Sequence, residues 1–154
     1  MRKRASCLIR LFKKPIAIVL LSLFSVHSHA TMHKQDVKCL AIAMHKEARG
    51  EGKEGMLLVG NVVLNRANKR KKGVCSAIFE RGQFSWVKEK KERYTVSKEA
   101  LGLSRWLLVQ EEVGKRVDTA KGATFFHNKH VRPVWARRMQ LVKRYKGHLF
   151  YREK

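Results

Sequence analysis

Acidic residues are scarce in this chain: 12 Asp and Glu stand against 35 Lys and Arg over 154 residues, a formal charge of +23. Repulsion at that charge is relieved by acidic partners or counterions, so nucleic acid, an anionic membrane surface and an acidic polymer all fit, and composition does not choose among them. Proline is nearly missing, with two residues, yet 44% of the chain is apolar and it carries three Trp and seven Phe. That core-forming content excludes a disordered basic tail. Cysteine is limited to Cys7, Cys39 and Cys75, with no Cys-x-x-Cys pair and no Cys/His spacing of a structural zinc site. The apolar run Ile16 to Val26 has eleven residues, whereas a helix that spans a bilayer needs about 17–25. No internal repeat or low-complexity linker divides the chain.

What is present begins with an address. Arg2, Lys3, Arg4, Arg10, Lys13 and Lys14 precede the apolar run, and Ser28-His29-Ala30 follows it. A basic segment, a short apolar segment and small residues at the −3 and −1 positions read as a secretory signal peptide over residues 1–30, cut after Ala30. The alternative is an uncleaved anchor stretched over Leu8 to Val26, interrupted by Lys13-Lys14-Pro15. After processing no stable membrane span is expected, and the protein is expected to be periplasmic or extracellular. Residues 31–154 keep 35 − 6 = 29 basic residues against 12 acids, a charge of +17. Export turns the expected partner from nucleic acid to the anionic envelope surface. Cys39 and Cys75 are then an even pair in an oxidising compartment, either one disulfide or two buried thiols.

Residues 31–154 read as one domain. Asp36 can cap a helix with Val37, Leu40, Ala41, Met44 and Ala48 on one face, ended by Gly50. A densely apolar helix is expected over about 54–67, a short one over 74–79, and a long one over about 98–113, capped by Ser97 and stopped by Gly114. Lys88 to Arg93 reads as a solvated loop. From Gly122 the pattern changes to strands, one at Ala123–His127 and two more, Met139–Val142 and His148–Tyr151, around a Tyr145-Lys146-Gly147 turn. Helices first and a small antiparallel sheet last make an α+β domain.

Glu47 is the first candidate for chemistry. A carboxylic acid at the end of an apolar helix, beside a glycine turn, can have its pKa raised by desolvation and donate a proton near neutral pH. Gln83, Ser85 and Trp86, then His127 and Asn128, then Trp135, combine flat aromatic faces with neutral hydrogen-bonding groups, a mixture suited to sugar rings. Core packing is the alternative for the two tryptophans, and a structural hydrogen bond for His127 and His148.

Taken in order, the blocks Cys39-Leu40-Ala41, Glu47-Ala48-Arg49-Gly50-Glu51, Glu54-Gly55, Asn61-Val62-Val63-Leu64-Asn65-Arg66, Gln83-Phe84-Ser85-Trp86, Gly122 to Asn128, Trp135-Ala136 and Gly147 to Arg152 resemble the SleB-type cell wall hydrolase family, which includes spore-cortex-lytic enzymes. The resemblance implies a lysozyme-like helical part holding the catalytic acid, which falls on Glu47, and cleavage of the glycan strands of peptidoglycan. It further suggests a lytic transglycosylase that leaves 1,6-anhydromuramyl ends; Gln83, Ser85, Trp86, His127, Asn128 and Trp135 are expected against the sugar, and neither metal nor cofactor is expected. Departures are His45 and Lys46, and a cation adjoining Glu47 favours its ionised form. Glu51, Glu54, Glu80 and Asp118 are the candidates for a second carboxylate. Two other readings remain: an N-acetylmuramoyl-L-alanine amidase with zinc on His45, His127 or His148, and a non-enzymatic cationic protein that binds envelopes.

Overall fold

The computed structural model describes residues 22–87 and 94–154. The signal-peptide reading falls largely, and the solvated-loop reading of Lys88–Arg93 wholly, outside the described residues. Two units divide the chain, Met1–Thr31 and Met32–Lys154, and the second holds every element described below apart from the start of the first helix.

The helical part comes first: α1 (Ser22–Ala48), a 3-10 turn (Arg49–Glu51), α2 (Gly52–Arg70), α3 (Val74–Phe79) and α4 (Lys98–Glu112). Helix α1 runs through Asp36, which therefore caps nothing. No glycine or proline separates it from the upstream turns, so the helix has no reason to begin there. At the other end the conformation that requires glycine lies at Gly52, φ 79°, and not at Gly50. Helix α2 continues past Ala67 through Asn68, Lys69 and Arg70 and stops at Lys71 in the left-handed conformation, φ 51°. Lys and Arg are good helix formers, so the basic cluster extends the helix before ending it. Ser97 Oγ accepts the Ala100 N–H at 3.1 Å and starts α4, a capping bond of about 1 kcal/mol.

Helix α2 is the axis of the fold because it is buried on two sides. Val59, Val63 and Leu64 pack with Leu40, Met44, Ile78 and Leu107 of the other helices. Leu58 and Val62 face Ala120, Ala123 and Phe150, the side of the sheet. That explains a run too apolar for a single buried stripe. Gly60 is where α2 meets its neighbours, since a Cβ there lies 2.7 Å from Leu107 Cδ2 and 3.2 Å from Met44 Sδ. Cys39 and Cys75 form a disulfide, with Cα atoms 5.3 Å apart, that ties α1 to α3.

The sheet follows: β1 (Phe125–Asn128), a 3-10 turn (Val134–Arg138), β2 (Met139–Tyr145) and β3 (His148–Glu153), all antiparallel in the order β1-β3-β2. Strand β2 is longer than its apolar pattern indicates, because Lys143 and Arg144 pair with Phe150 and Leu149 after a register shift past Leu141. Pairing continues there because backbone groups, not side-chain polarity, complete the ladder. On the β1 side His127 faces Leu149 and Asn128 faces His148.

Polar residues of α2 fix the segment that leads into β1. Asn65 donates from Nδ2 to Asp118 Oδ2 at 2.9 Å and to the Ala123 carbonyl at 3.0 Å. Arg116 donates to Asn61 Oδ1 at 2.5 Å and to Asn65 Oδ1 at 3.0 Å. Arg66 is 5% exposed and donates twice to the Thr124 carbonyl, at 3.1 and 2.9 Å. Each of these bonds spans more than fifty residues of sequence, and together they set where β1 and its His127-Asn128 end arrive.

Candidate active site

Between the end of α1, the segment after α3 and the sheet lies a cleft of about 370 Å³, lined by Glu47, Arg66, Gln83, Phe84, Ser85, Phe126, His127, Asn128 and His148. The helical part supplies Glu47, one residue before α1 ends. There the helix has lost its continuation, so a side chain can be buried on one edge and open on the other. The compact segment after α3 supplies Gln83 and Ser85. Phe84 of that segment is buried in the helical core and stacks on Trp86 at 5.2 Å, which anchors the polar residues on either side of it.

Trp86 reaches the acid directly: its indole Nε1–H donates to Glu47 Oε1 at 2.6 Å. Its ring is held edge-on to Phe79 at 6.1 Å and to Tyr94 at 5.4 Å, so the donor is rigid. Burial pushes the Glu47 carboxyl above its ordinary value, opposed by the Trp86 hydrogen bond and by the Arg66 guanidinium. Desolvation dominates, which suits an acid that must carry a proton near neutral pH. Lys46 is turned elsewhere, with its ammonium 5.4 Å from the centre of the Tyr94 ring. Consecutive helical side chains diverge by about 100°, and the cation that acts on Glu47 is Arg66.

The sheet forms the opposite wall. His127 Nδ1 lies 2.8 Å from the Asn128 carbonyl and Nε2 lies 3.0 Å from the Tyr151 hydroxyl. A carbonyl only accepts, so Nδ1 carries the proton and, in the neutral ring, Nε2 accepts from Tyr151. Asn128 Oδ1 accepts the His130 N–H at 3.0 Å, which leaves its amide donors for the cleft. His148 is buried, and burial lowers its pKa more than the nearby Glu51 carboxylate raises it.

Of the residues expected from the sequence, the cleft brings together Glu47, Gln83, Ser85, His127 and Asn128, with Trp86 bound to the acid. Trp135 stands outside it. It follows Pro133 on the 3-10 turn and packs against Phe125 at 5.4 Å and Tyr151 at 5.6 Å, behind His127. Arg66 also lines the cleft, and so does His148, expected from the sequence only as a structural residue or a zinc ligand. Arg66 is a charge inside an apolar helix, which marks it in the sequence as a residue with a buried partner.

Each candidate for a second carboxylate is engaged elsewhere. Glu51 accepts the Gly147 N–H at 3.3 Å and lies 3.9 Å from His148 Nδ1. Its approach depends on Gly147, where a Cβ would be 2.8 Å from Glu51 Oε1. Glu54 pairs with Lys143, and Glu80 with Arg70 and Lys72. Asp118 caps its own loop through the Ala120 and Gly122 N–H groups. Among the described residues, Glu47 is the one carboxylate that lines the cleft. Among the same residues no three His, Cys, Asp or Glu side chains come close enough to share a metal ion, so His45, His127 and His148 do not converge.

The architecture, a helical part followed by a three-stranded antiparallel sheet, is the α+β fold of a known catalytic domain. The chain is similar to the crystal structure of the catalytic domain of the Bacillus cereus SleB protein, with a TM-score of 0.63 and 24% identity over 77% of this chain and 91% of that one. The family model for cell wall hydrolase matches residues 50–151. The chain belongs to the cell wall hydrolase family. The matched span begins three residues after Glu47 and does not include it. No curated protein matches the chain. Among the described residues, no helix is long and apolar enough to cross a membrane.

Proposed function

We propose that this cell wall hydrolase is an exported peptidoglycan hydrolase that cleaves the glycan strand as a lytic transglycosylase, with Glu47 as acid and then base. The observation that carries this reading is a lone, partly buried carboxyl, its pKa raised by burial, facing a cleft of neutral donors and aromatic faces. Glycosidic cleavage needs an acid for the leaving oxygen and a nucleophile for the anomeric carbon. With no second carboxylate lining the cleft among the described residues, the nucleophile comes from the substrate.

In the first step Glu47 gives its proton to the glycosidic oxygen, and the bond from that oxygen to the muramyl C1 breaks. In the second, the C6 hydroxyl of the same sugar attacks C1 and returns its proton to Glu47. A 1,6-anhydro ring forms, no water is consumed, and the acid is regenerated. Arg66 stabilises the carboxylate between the steps by charge, and Trp86 by its hydrogen bond. Gln83, Ser85, His127 and Asn128 hold the sugar and its acetamide. Export through a signal peptide cut near Ala30 leaves a charge of +17, which holds the enzyme on the anionic wall.

Mass spectrometry of digested sacculi tests the route. Anhydromuramyl ends are expected, and products that have gained water in their place refute the transglycosylase mechanism. Glu47→Gln removes the proton with little change of shape and is expected to abolish cleavage. Release of free peptide stems, sensitive to chelator, would identify an amidase. An undiminished effect on envelopes from the Glu47→Gln protein would identify a binding protein.

A further inference from the structure

A second concavity, of about 490 Å³, shares His127 with the Glu47 cleft. Lys129, Arg132, Arg137 and Arg144 line it, together with Tyr151, and no acidic residue does. The four cations come from separate segments. Lys129 directly follows β1, Arg132 precedes the 3-10 turn, Arg137 lies on that turn and Arg144 on β2. Some basic residues elsewhere are matched with acids, as in Arg70 and Lys72 with Glu80, Arg116 with Glu111 and Asp118, and Lys69 with Glu153. Here, among the described residues, none of the four has a carboxylate within ion-pair distance. Four like charges gathered round one cavity repel one another, and an anion seated among them relieves that repulsion.

We propose that this concavity is a subsite for the carboxylate-bearing peptide stem of the muramyl residue held in the adjoining cleft, a reading that rests on the glycan-cleaving function above. The stem leaves the sugar from the lactyl group on C3, so a peptide attached to a muramyl residue in the cleft has the neighbouring concavity within reach across His127. Arginine suits carboxylates because its planar fork offers parallel donors. Ala136 and Leu149 add an apolar lining that matches the alanine methyls of a stem. A nucleotide or a lipid headgroup also carries negative charge, but continuity with the sugar cleft through His127 favours the peptide.

The test measures binding calorimetrically on the full chain carrying Glu47→Gln, which leaves the probes intact. Three probes are compared: a disaccharide-tetrapeptide with free carboxylates, the same molecule with those groups converted to carboxamides, and the disaccharide without peptide. The free-carboxylate probe is expected to bind tightest. Adding Arg132→Gln, Arg137→Gln and Arg144→Gln is expected to weaken that probe about tenfold and leave the other two unchanged. A control with Lys38→Gln, Lys98→Gln and Arg105→Gln, equal in charge lost, is expected to change none. Equal loss in both triple variants, or no preference among the probes, overturns the subsite. If the triple variant unfolds, Arg144→Gln alone is read in the same way. Absence of anhydro products from sacculi overturns the transglycosylase reading instead, and the comparison among probes still stands.

Discussion

Replacing Trp86 by Phe separates the roles of packing and hydrogen bonding at Glu47, the proposed catalytic acid. The aromatic contacts with Phe79, Phe84 and Tyr94 keep a ring in place, while the 2.6 Å bond to Glu47 Oε1 is lost. A hydrogen bond to a charged group contributes about 1.5–3 kcal/mol, and that bond both orients the carboxyl and stabilises its ionised form. If the whole of it acts on the cleavage step, the rate falls about ten- to a hundredfold. The bond opposes the burial that raises the Glu47 pKa, so without it the pKa rises further. Activity requires the protonated acid and is lost as pH rises through that pKa, so the alkaline limb of the profile moves to higher pH. Clearing of purified sacculi, followed by turbidity across pH, measures both effects, and thermal unfolding measures folding. A slower Trp86→Phe enzyme whose alkaline limb has not moved, or one as fast as wild type, refutes the assignment of Glu47 as the acid held by Trp86.

Three other outcomes follow from the same structure. Cys39→Ser with Cys75→Ser opens a link across 36 residues of sequence and is expected to lower stability by about 2–4 kcal/mol, read by denaturant unfolding. Because burial holds the His148 pKa below its ordinary value, the unfolded chain takes up a proton more readily than the folded one. Stability is therefore complete above the unfolded value of about 6.5 and falls as pH drops through the folded one, and His148→Gln is expected to flatten the Tm profile there. Activity on sacculi is expected to fall with added salt, since the charge proposed to hold the enzyme on the wall acts over a Debye length of about 8–10 Å near physiological ionic strength. Activity indifferent to salt would sever charge from wall binding.

Helices were the most legible elements. Their three-and-four spacing and the Ser97 cap are local properties, and α2, α3 and α4 lie close to where the pattern puts them. Starts and stops were less legible: Asp36 is overrun by a helix with no breaker upstream, and Gly52, not Gly50, turns the chain. Of the site, Glu47 and the Gln83 to Trp86 segment could be read as short motifs. Trp135 shares the composition of a sugar-binding residue but is placed by its turn against Tyr151, a packing decision that composition does not contain. Arg66 stands out in the sequence as a charge inside an apolar helix and His148 as a histidine, but each becomes part of this site only when α2 and β3 are brought to the same cleft.

By itself the sequence determines the excess of positive charge and the order of helices before strands. These depend on residues counted or spaced along one segment. The tertiary structure decides what each charged or polar group does. It sends Glu51, Glu54, Glu80 and Asp118 to structural partners and leaves Glu47 as the one carboxylate of the cleft among the described residues. It also gathers Lys129, Arg132, Arg137 and Arg144 around one concavity. The reason is that desolvation and Coulomb interactions depend on distances through space, and long-range bonds such as Arg66 to the Thr124 carbonyl set those distances only once the chain has folded.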